Sequence, residues 1–437
     1  MPAASTPSQP LHIVIIGYVW PEPNSSAAGY HMLSFIELFH NQGWTITFAS
    51  PASLGDHRAD LSPWNVQEVA ISLNDASFDA WIAEQRPNVV LFDRFMMEEQ
   101  FGWRVEKACP DAIRLLDTED FHSLRDARHQ MLKKQLQLTK DEVDFTPLLE
   151  MDTLFDYMSP TDLAQREIAS IYRCDLTLMI SDVELRLLTD YFSVPYQQLM
   201  HCPFMINHER SAPASTPSWQ QRQHFVSIGN FRHAPNWDAV LWLKQRIWPQ
   251  IRQALPQAEL HIYGAYPPPK ATDLNHPSSG FYVKGWAESA DEVIQNARVL
   301  IAPLRFGAGI KGKLLDAMRN GTPSVTTPIG VEGMVSSQAW PGAIGGSEKA
   351  IAAAAVQLYQ DEATWLKAQS RIKAILDHRF NTVKNQGNLL YLLNQMLDKK
   401  HLAQHRKNNF VGQMLRHHHH KSTQYMSQWI EAKNKLS

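Results

Sequence analysis

The sequence predicts an α/β protein made of two doubly wound, Rossmann-like domains that face one another across a cleft. Three observations carry this prediction. Short apolar runs of strand length alternate with helical patterns through most of the 437 residues, as parallel sheets covered by helices require. The alternation breaks at the Pro/Ser-rich stretch SAPASTPSWQQRQ, Ser211–Gln223, and then restarts, which reads as a linker. Beyond the restart, Val299–Thr327 reads as one unit of strand, glycine turn, helix and strand. The expected boundaries are 1–205 for a first domain with a helical insertion, 206–223 for the linker, 224–377 for a second domain, and 378–437 for a helical tail.

Composition narrows the functional classes. Lys and Arg number 41 against 44 Asp and Glu, so bulk charge implies no nucleic-acid partner. A hydrophobic content of 44% with 19% charged residues is that of a soluble globular protein. The three cysteines lack metal-ligand spacing and fit a reducing compartment. The polar leader MPAASTPSQP has no basic segment, and LHIVIIGYVW is too short to span a bilayer. A cytoplasmic protein is expected. The basic run Lys399–Lys407 leaves peripheral contact with the inner membrane face open beside an ordinary solvated helix face.

In the first domain, Leu11–Gly17 is a buried strand, followed by the loop YVWPEPNSSAAG, a helix over Tyr30–Asn41 and the strand TITFAS. Gly29 then stands at the mouth of the sheet, where ligands bind beyond strand C-termini. No GxGxxG fingerprint is present, which disfavours a dinucleotide oxidoreductase. VVLFD (Val89–Asp93) and AIRLLDT (Ala112–Thr118) are further strands around a helix over Met96–Cys109. Asp117-Thr118-Glu119-Asp120-Phe121-His122 follows a strand end and sets three carboxylates beside one histidine. A helix cap explains one or two of the acids; an acceptor or proton-handling site explains His122 as well. Two helix-favouring stretches, Glu119–Leu138 and Phe145–Tyr172, form the insertion, with breaks at Pro147 and Pro160. DLTLMI, a helix over Val183–Tyr191 and LMHCPF complete this half.

The second half repeats the pattern: HFVSIGN, a helix over Asp238–Leu255, AELHIYG, GFYVKGW, a helix over Ser289–Ala297, and then the Val299–Thr327 unit. In that unit VLIAP leads through Phe306-Gly307-Ala308-Gly309 into the helical run IKGKLLDAMRN, with Gly321 at its C-cap. The unpaired N–H groups of a helix start attract anions, phosphate above all. Lys311 and Lys313 in the first turn oppose the helix dipole unless an anion sits there. Asp316, about one turn on, would then reach a ribose. A solvated basic turn is the plainer alternative.

IGNFRHAPNWDAVLWLKQRIWPQI, LHIYG, VKGW and VLIAPLRFGAGIKGKLLDAMRNGTPSVTTPIGVEGM occur in that order over about Phe225–Met334. Together they resemble the C-terminal domain of GT-B-fold retaining glycosyltransferases, the large group 1, family-4-like set with a GAGIK-type loop. The resemblance implies a metal-independent enzyme that moves a sugar from a nucleotide-diphosphate sugar to a glycan, lipid-linked or protein acceptor. The donor is a substrate, and no other cofactor is implied.

By resemblance, Lys311 and the backbone of Gly307, Ala308, Gly309 and Ile310 face the donor diphosphate, beside the Lys313 that the helix start already places there, and Asp316 takes the ribose. Ala308 stands where many members carry a first glutamate. Asn230 stands where many carry an arginine, so Arg232 is the substitute cation. His122 is the acceptor-side histidine, Gly29 lets backbone approach the phosphates, and the Val283–Trp286 segment, with Lys284, lies near the base. No Asp-x-Asp metal motif occupies a matching position. These departures leave a non-catalytic sugar-nucleotide or glycan binder as the rival reading, and a GT-B epimerase as a third.

The tail, from Thr382 onward, is longer than the second sheet needs. Leu389, Leu390, Leu392, Leu393 and Met396 offer a stripe with which a returning helix would pack on the first domain. His417–His420 is expected as a polar lead-in to a last helix over about Ser422–Lys435, with metal binding as the alternative.

Overall fold

A computed structural model of the chain describes residues 10–139, 143–206, 216–335 and 339–436. Two parallel sheets form its frame. The first contains β1 (His12–Ile16), β2 (Thr45–Ser50), β3 (Gln67–Ala70), β4 (Val89–Asp93), β5 (Ile113–Asp117), β6 (Leu176–Met179) and β7 (Leu199–His201), in the order β3-β2-β1-β4-β5-β6-β7. The second contains β8 (Gln223–Ile228), β9 (Leu260–Tyr263), β10 (Phe281–Gly285), β11 (Ala297–Ala302), β12 (Ser324–Thr326) and β13 (Gly342–Ile344), in the order β10-β9-β8-β11-β12-β13. Each is a doubly wound sheet, and together they have the GT-B architecture.

The central strands are apolar on both faces because helices cover both. Ile13, Val14, Ile15 and Ile16 of β1 are fully buried, as are Val89–Phe92 of β4, the continuous pattern of buried parallel strands. Edge strand β3, QEVA, is largely exposed, and its polar residues gave no apolar run to read; β3 and the following helix Ser77–Gln85 are additions to the sequence reading. So is β13, three residues long.

The helix expected over Asp238–Leu255 begins earlier, at Ala234, with Pro235 in its first turn, where a missing N–H costs nothing. It passes through a wider turn at Leu243–Ile247 and ends at Ala254. The insertion is three helices, Thr146–Leu149, Met151–Met158 and Asp162–Arg173, packed on the helix His122–Thr139.

The tail returns to the first domain. Leu389, Leu393 and Met396 of the helix Thr382–Met396 are buried in the first-domain core, with Leu390 and Leu392 partly buried beside them. Arg406 then grips Asp175 at 2.7 and 2.8 Å and the carbonyls of Pro110 and Ala112. The chain crosses between domains twice, and both crossings touch: the Ile206 N–H donates to Phe380 O at 2.8 Å. The last helix, Phe410–Leu436, runs unbroken through the histidine run; the side chains of His418–His420 and the linker residues 207–215 lie outside the described residues. Among the described residues no helix is long and apolar enough to cross a membrane.

Candidate active site

The C-terminal ends of β4 and β5 supply the first wall of the cleft. Asp93 and Asp117 are register partners on these adjacent strands, so their carboxylates emerge side by side. Just beyond them, Arg94 (φ 71°) and Glu119 (φ 60°) adopt left-handed backbone. Such conformations cost roughly 1–3 kcal/mol each and gather at functional sites.

The Asp117–His122 segment divides in two directions. Asp117 and Glu119 turn inward onto His31, whose Nδ1 lies 3.7 Å from Asp117 and 3.8 Å from Glu119. Burial, and then the neighbouring carboxylates, push both acids up to about 8, so this inner cluster holds protons at neutral pH. Asp120 and His122 turn outward. Asp120 bonds Arg125 and lies 3.4 Å from His122 Nε2. Burial alone would raise the Asp120 carboxyl, but Arg125, His122 and His233 hold it well below the usual range. His122 is pushed down to about 4 by burial, with Arg125 and Arg94 assisting against Asp120; its ring is neutral at pH 7. Glu167 fixes the start of its helix by accepting the His122 and Ser123 N–H groups at 2.8 and 2.7 Å.

The second wall comes from β8 and β11. After Ile228 the chain turns back on itself, Asn230 Oδ1 accepting the Arg232 N–H at 2.8 Å. Lys313, in the helix Gly312–Arg319, reaches beneath this turn and donates to Asn236 Oδ1 at 2.8 Å. A Cβ on Gly229 would lie 2.6 Å from its Nζ, which is why a glycine ends β8. Burial pushes Lys313 down to about 7, with only Asp316 opposing. A lysine so placed is a cation short of an anion.

Lys311 caps the same helix, is buried, and donates from Nζ to Gly309 O at 2.6 Å. Burial lowers it to about 8, against Glu332. The loop before it is pinned from the first domain: Arg128 donates to Gly307 O at 2.8 Å and pairs with Glu332 at 2.6 Å. Gly309 (φ 62°) lies so close to the DTEDFH segment that a Cβ there would stand 2.8 Å from Asp120 Cβ. The two walls therefore meet at this point.

Residues 222–361 match the family model described as "Glycosyl transferases group 1". The second domain is a group 1 glycosyltransferase domain. Solved structures extend the likeness across both domains. Sucrose-phosphate synthase from Thermosynechococcus elongatus superposes with a TM-score of 0.65 at 15% identity, covering 88% of this chain and 99% of that one. A glycosyltransferase from Rickettsia africae gives 0.62 at 10% identity, covering 89% and 99%. Anabaena HepE in complex with UDP-glucose gives 0.62 at 12% identity, covering 88% and 99%. At these identities the likeness is one of fold. No curated protein sequence matches the chain.

Within the glycosyltransferase domain, the structure sorts the residues that the sequence singled out. Lys311, Lys313 and Gly307–Gly309 converge on the cleft with Asp120 and His122. The Gly309 N–H, expected to be free for a diphosphate, is taken by Glu184 Oε1 at 2.5 Å. Ile310 is buried in one hydrophobic cluster and Ala308 packs, partly buried, against another, so any role there belongs to the backbone. Asp316 is held by Arg319 at 3.1 Å; its recessed position pushes it up to about 6, against Arg319.

Arg232 stands further out, its guanidinium 3.7 Å over the Tyr266 ring. Tyr266 in turn donates to Glu22 of the first domain at 3.0 Å. Trp286 of the VKGW segment stacks on His57 of the first domain at 3.8 Å and 8°, closing the same end of the cleft. Lys284 is exposed on β10, 4.8 Å over the Tyr282 ring, and its charge bears on His261 and Glu259 rather than on the loop. Gly29 lies in the first turn of the helix Ala27–Asn41, donating to Ser26 Oγ. A Cβ there would approach the Glu22 backbone to 2.4 Å, so the packing of the preceding loop itself requires glycine.

Sequence reading missed His233, an exposed side chain whose imidazole, crowded by the surrounding protein and reached by the charges of Arg125, Asp120 and Lys313, is pushed down to about 4. It also missed Arg94, His31 and Glu184. The HAPN signature of a helix start was the one available signal for His233; the others are joined only by the fold.

Proposed function

We propose that the chain is a glycosyltransferase moving a sugar from a nucleoside-diphosphate sugar to a glycan, lipid-linked or protein acceptor, metal-independently and with retention of configuration. The observation that carries this reading is Lys313: a recessed ammonium at a helix start, under the end of β8, with His233 within electrostatic reach of both it and Asp120. The donor's diphosphate sits against Lys313, Lys311 and the helix start, and Asp316 receives the ribose. The UDP and UDP-glucose complexes of Anabaena HepE support a nucleoside diphosphate in this class of cleft.

The chemistry follows from charge. Breaking the sugar–phosphate bond leaves negative charge on the departing diphosphate, which preorganised cations stabilise without reorganisation cost. Lys311 and Lys313, lowered to about 8 and 7 by burial, regain full charge when a dianion arrives. The same anion competes with Glu184 for the Gly309 N–H, and Glu184, raised to about 7 by burial, gives way on protonation. Neutral His122, fixed against anionic Asp120, faces the sugar and orients the acceptor hydroxyl.

A thermal-shift screen of nucleoside diphosphates and their sugars, with EDTA present, tests the reading, because a ligand of the native state raises apparent stability by mass action. A rise of several degrees for one base, retained in EDTA, is expected. No shift with any nucleotide overturns it. Ala308 and Asn230, at positions where relatives carry charged groups, favour the non-catalytic binder as second reading; binding without nucleotide release identifies it.

A further inference from the structure

The second sheet carries another cluster of chemistry at the end away from the cleft. His224 is the second residue of β8 and Ile228 the last, so the cluster lies roughly 13–16 Å along the strand from the Gly229–Lys313 contact. His261 is the second residue of β9, and Glu259 immediately precedes that strand. His261 Nε2 is 2.8 Å from Glu259 Oε2. His224 Nδ1 is 3.6 Å from the same oxygen. The two rings lie 4.6 Å apart at 31°, and one ligand atom from each of the three residues falls within 4.8 Å of the others.

We propose that His224, Glu259 and His261 form a binding site for a divalent transition-metal ion of the zinc class, independent of the donor site. The ligand set argues the class: two imidazoles and one carboxylate suit Zn²⁺, Co²⁺ or Ni²⁺, not Mg²⁺ or Ca²⁺. The geometry argues the fit. An ion about 2.0–2.1 Å from each ligand in a tetrahedral shell sets the ligand atoms about 3.4 Å apart. The separations of 2.8 and 3.6 Å to Glu259 bracket that spacing, so small side-chain rotations close the shell.

Two further observations point at a ligand. His224 Nδ1 is buried and has no hydrogen-bond partner, a state that burial makes costly. Its residue is also held at φ 61°, in the left-handed region that histidine seldom occupies within a strand, with its N–H donated to the Tyr359 hydroxyl at 3.3 Å. The backbone is thus bent to aim this ring at Glu259. In the metal-free state neutral His261 donates Nε2–H to Glu259; as an ion enters, Nε2 releases that proton to water while Nδ1 takes one up, so the ring changes tautomer with no net proton change and Nε2 offers its lone pair to the metal.

The site opens onto a cavity of about 380 Å³ between the sheet and the helix Ala290–Asn296, bounded also by Tyr263, Trp286 and Glu288. Three protein ligands leave the ion's fourth position to water from this cavity.

Co²⁺ titration of the full chain, followed by visible d–d absorption and equilibrium dialysis, tests the proposal. Because His417–His420 offers an independent affinity for such ions, the reference protein carries His417→Asn, His418→Asn, His419→Asn and His420→Asn. One equivalent of Co²⁺ with a tetrahedral spectrum is expected, displaced by Zn²⁺. Adding His261→Gln or Glu259→Gln weakens it at least tenfold while the melting curve without metal stays cooperative. A reference protein that binds no Co²⁺, or one whose binding survives both His224→Gln and His261→Gln, overturns the proposal. Should the donor reading fail, this stoichiometry stands unaffected, since no ligand is shared.

Discussion

Replacing Lys313 with methionine removes its charge while keeping the packing of its stem. In the proposed complex Lys313 makes a charge-assisted contact to a phosphate oxygen, worth roughly 1.5–3 kcal/mol. Lys313→Met is therefore expected to weaken nucleoside-diphosphate binding roughly ten- to hundredfold. The lysine's position at about 7 adds a second signature. At pH 7 about half of the free protein carries this proton, and the arriving dianion fills the remainder, so Lys313 contributes an uptake of about half a proton. Above pH 7 uptake approaches one and affinity falls toward tenfold per pH unit, until the pKa of the bound state is reached.

Isothermal titration in two buffers of different ionisation enthalpy measures that uptake directly. The variant should lose the affinity and the share of proton uptake that belongs to Lys313, leaving the smaller buffer dependence of Glu184 and Lys311. It should not lose stability: a lysine lowered in the folded state makes the native protein shed a proton the unfolded chain keeps between about 7 and 10.5. Its contribution therefore grows as pH rises through that window, and at neutral pH the buried amine stabilises nothing. An unchanged affinity, or wild-type binding with no proton uptake, refutes the reasoning.

Three further outcomes follow. Asp117→Asn should raise the melting temperature more at pH 8.5 than at pH 5, by calorimetry; the native carboxyl, raised to about 8, keeps a proton the unfolded chain loses from about 4 upward, so native stability falls across that window. Leu393→Ala, at a fully buried tail position in the first-domain core, should cost about 2–5 kcal/mol in denaturant unfolding; a cost near zero would make the tail an appendage. Asp316→Asn should weaken nucleosides as well as diphosphates in the same titration, since its expected partners are ribose hydroxyls; full retained affinity leaves it only the partner of Arg319.

The legible part of the molecule was that written in local pattern. β1, β4 and β11 contain the apolar runs Ile13–Ile16, Val89–Phe92 and Val299–Ala302, and Gly321 closes its helix at φ 61° as a C-cap glycine should. The Leu389–Met396 stripe pointed to a returning helix because heptad-like spacing survives in sequence. What escaped was set by partners distant in the chain. Glu184 meets Gly309 across 125 positions, and Arg128 meets Gly307 across 179; neither neighbour leaves a local trace. The DTEDFH segment was noticed as one cluster, but a strained Glu119 turns half of it inward to His31. Lys284 was placed by motif near the base, whereas strand alternation sends it to the exposed face with His261.

Transfer chemistry at Lys313 is read out by nucleotide release. Nucleoside-diphosphate sugars of several bases, incubated with the full chain in EDTA, are assayed for free nucleoside diphosphate with and without a cell-derived acceptor fraction. Catalytic release from at least one donor is expected, accelerated by acceptor and lost in Lys313→Met. Tight binding of that donor with no release above buffer, in either condition, would contradict it.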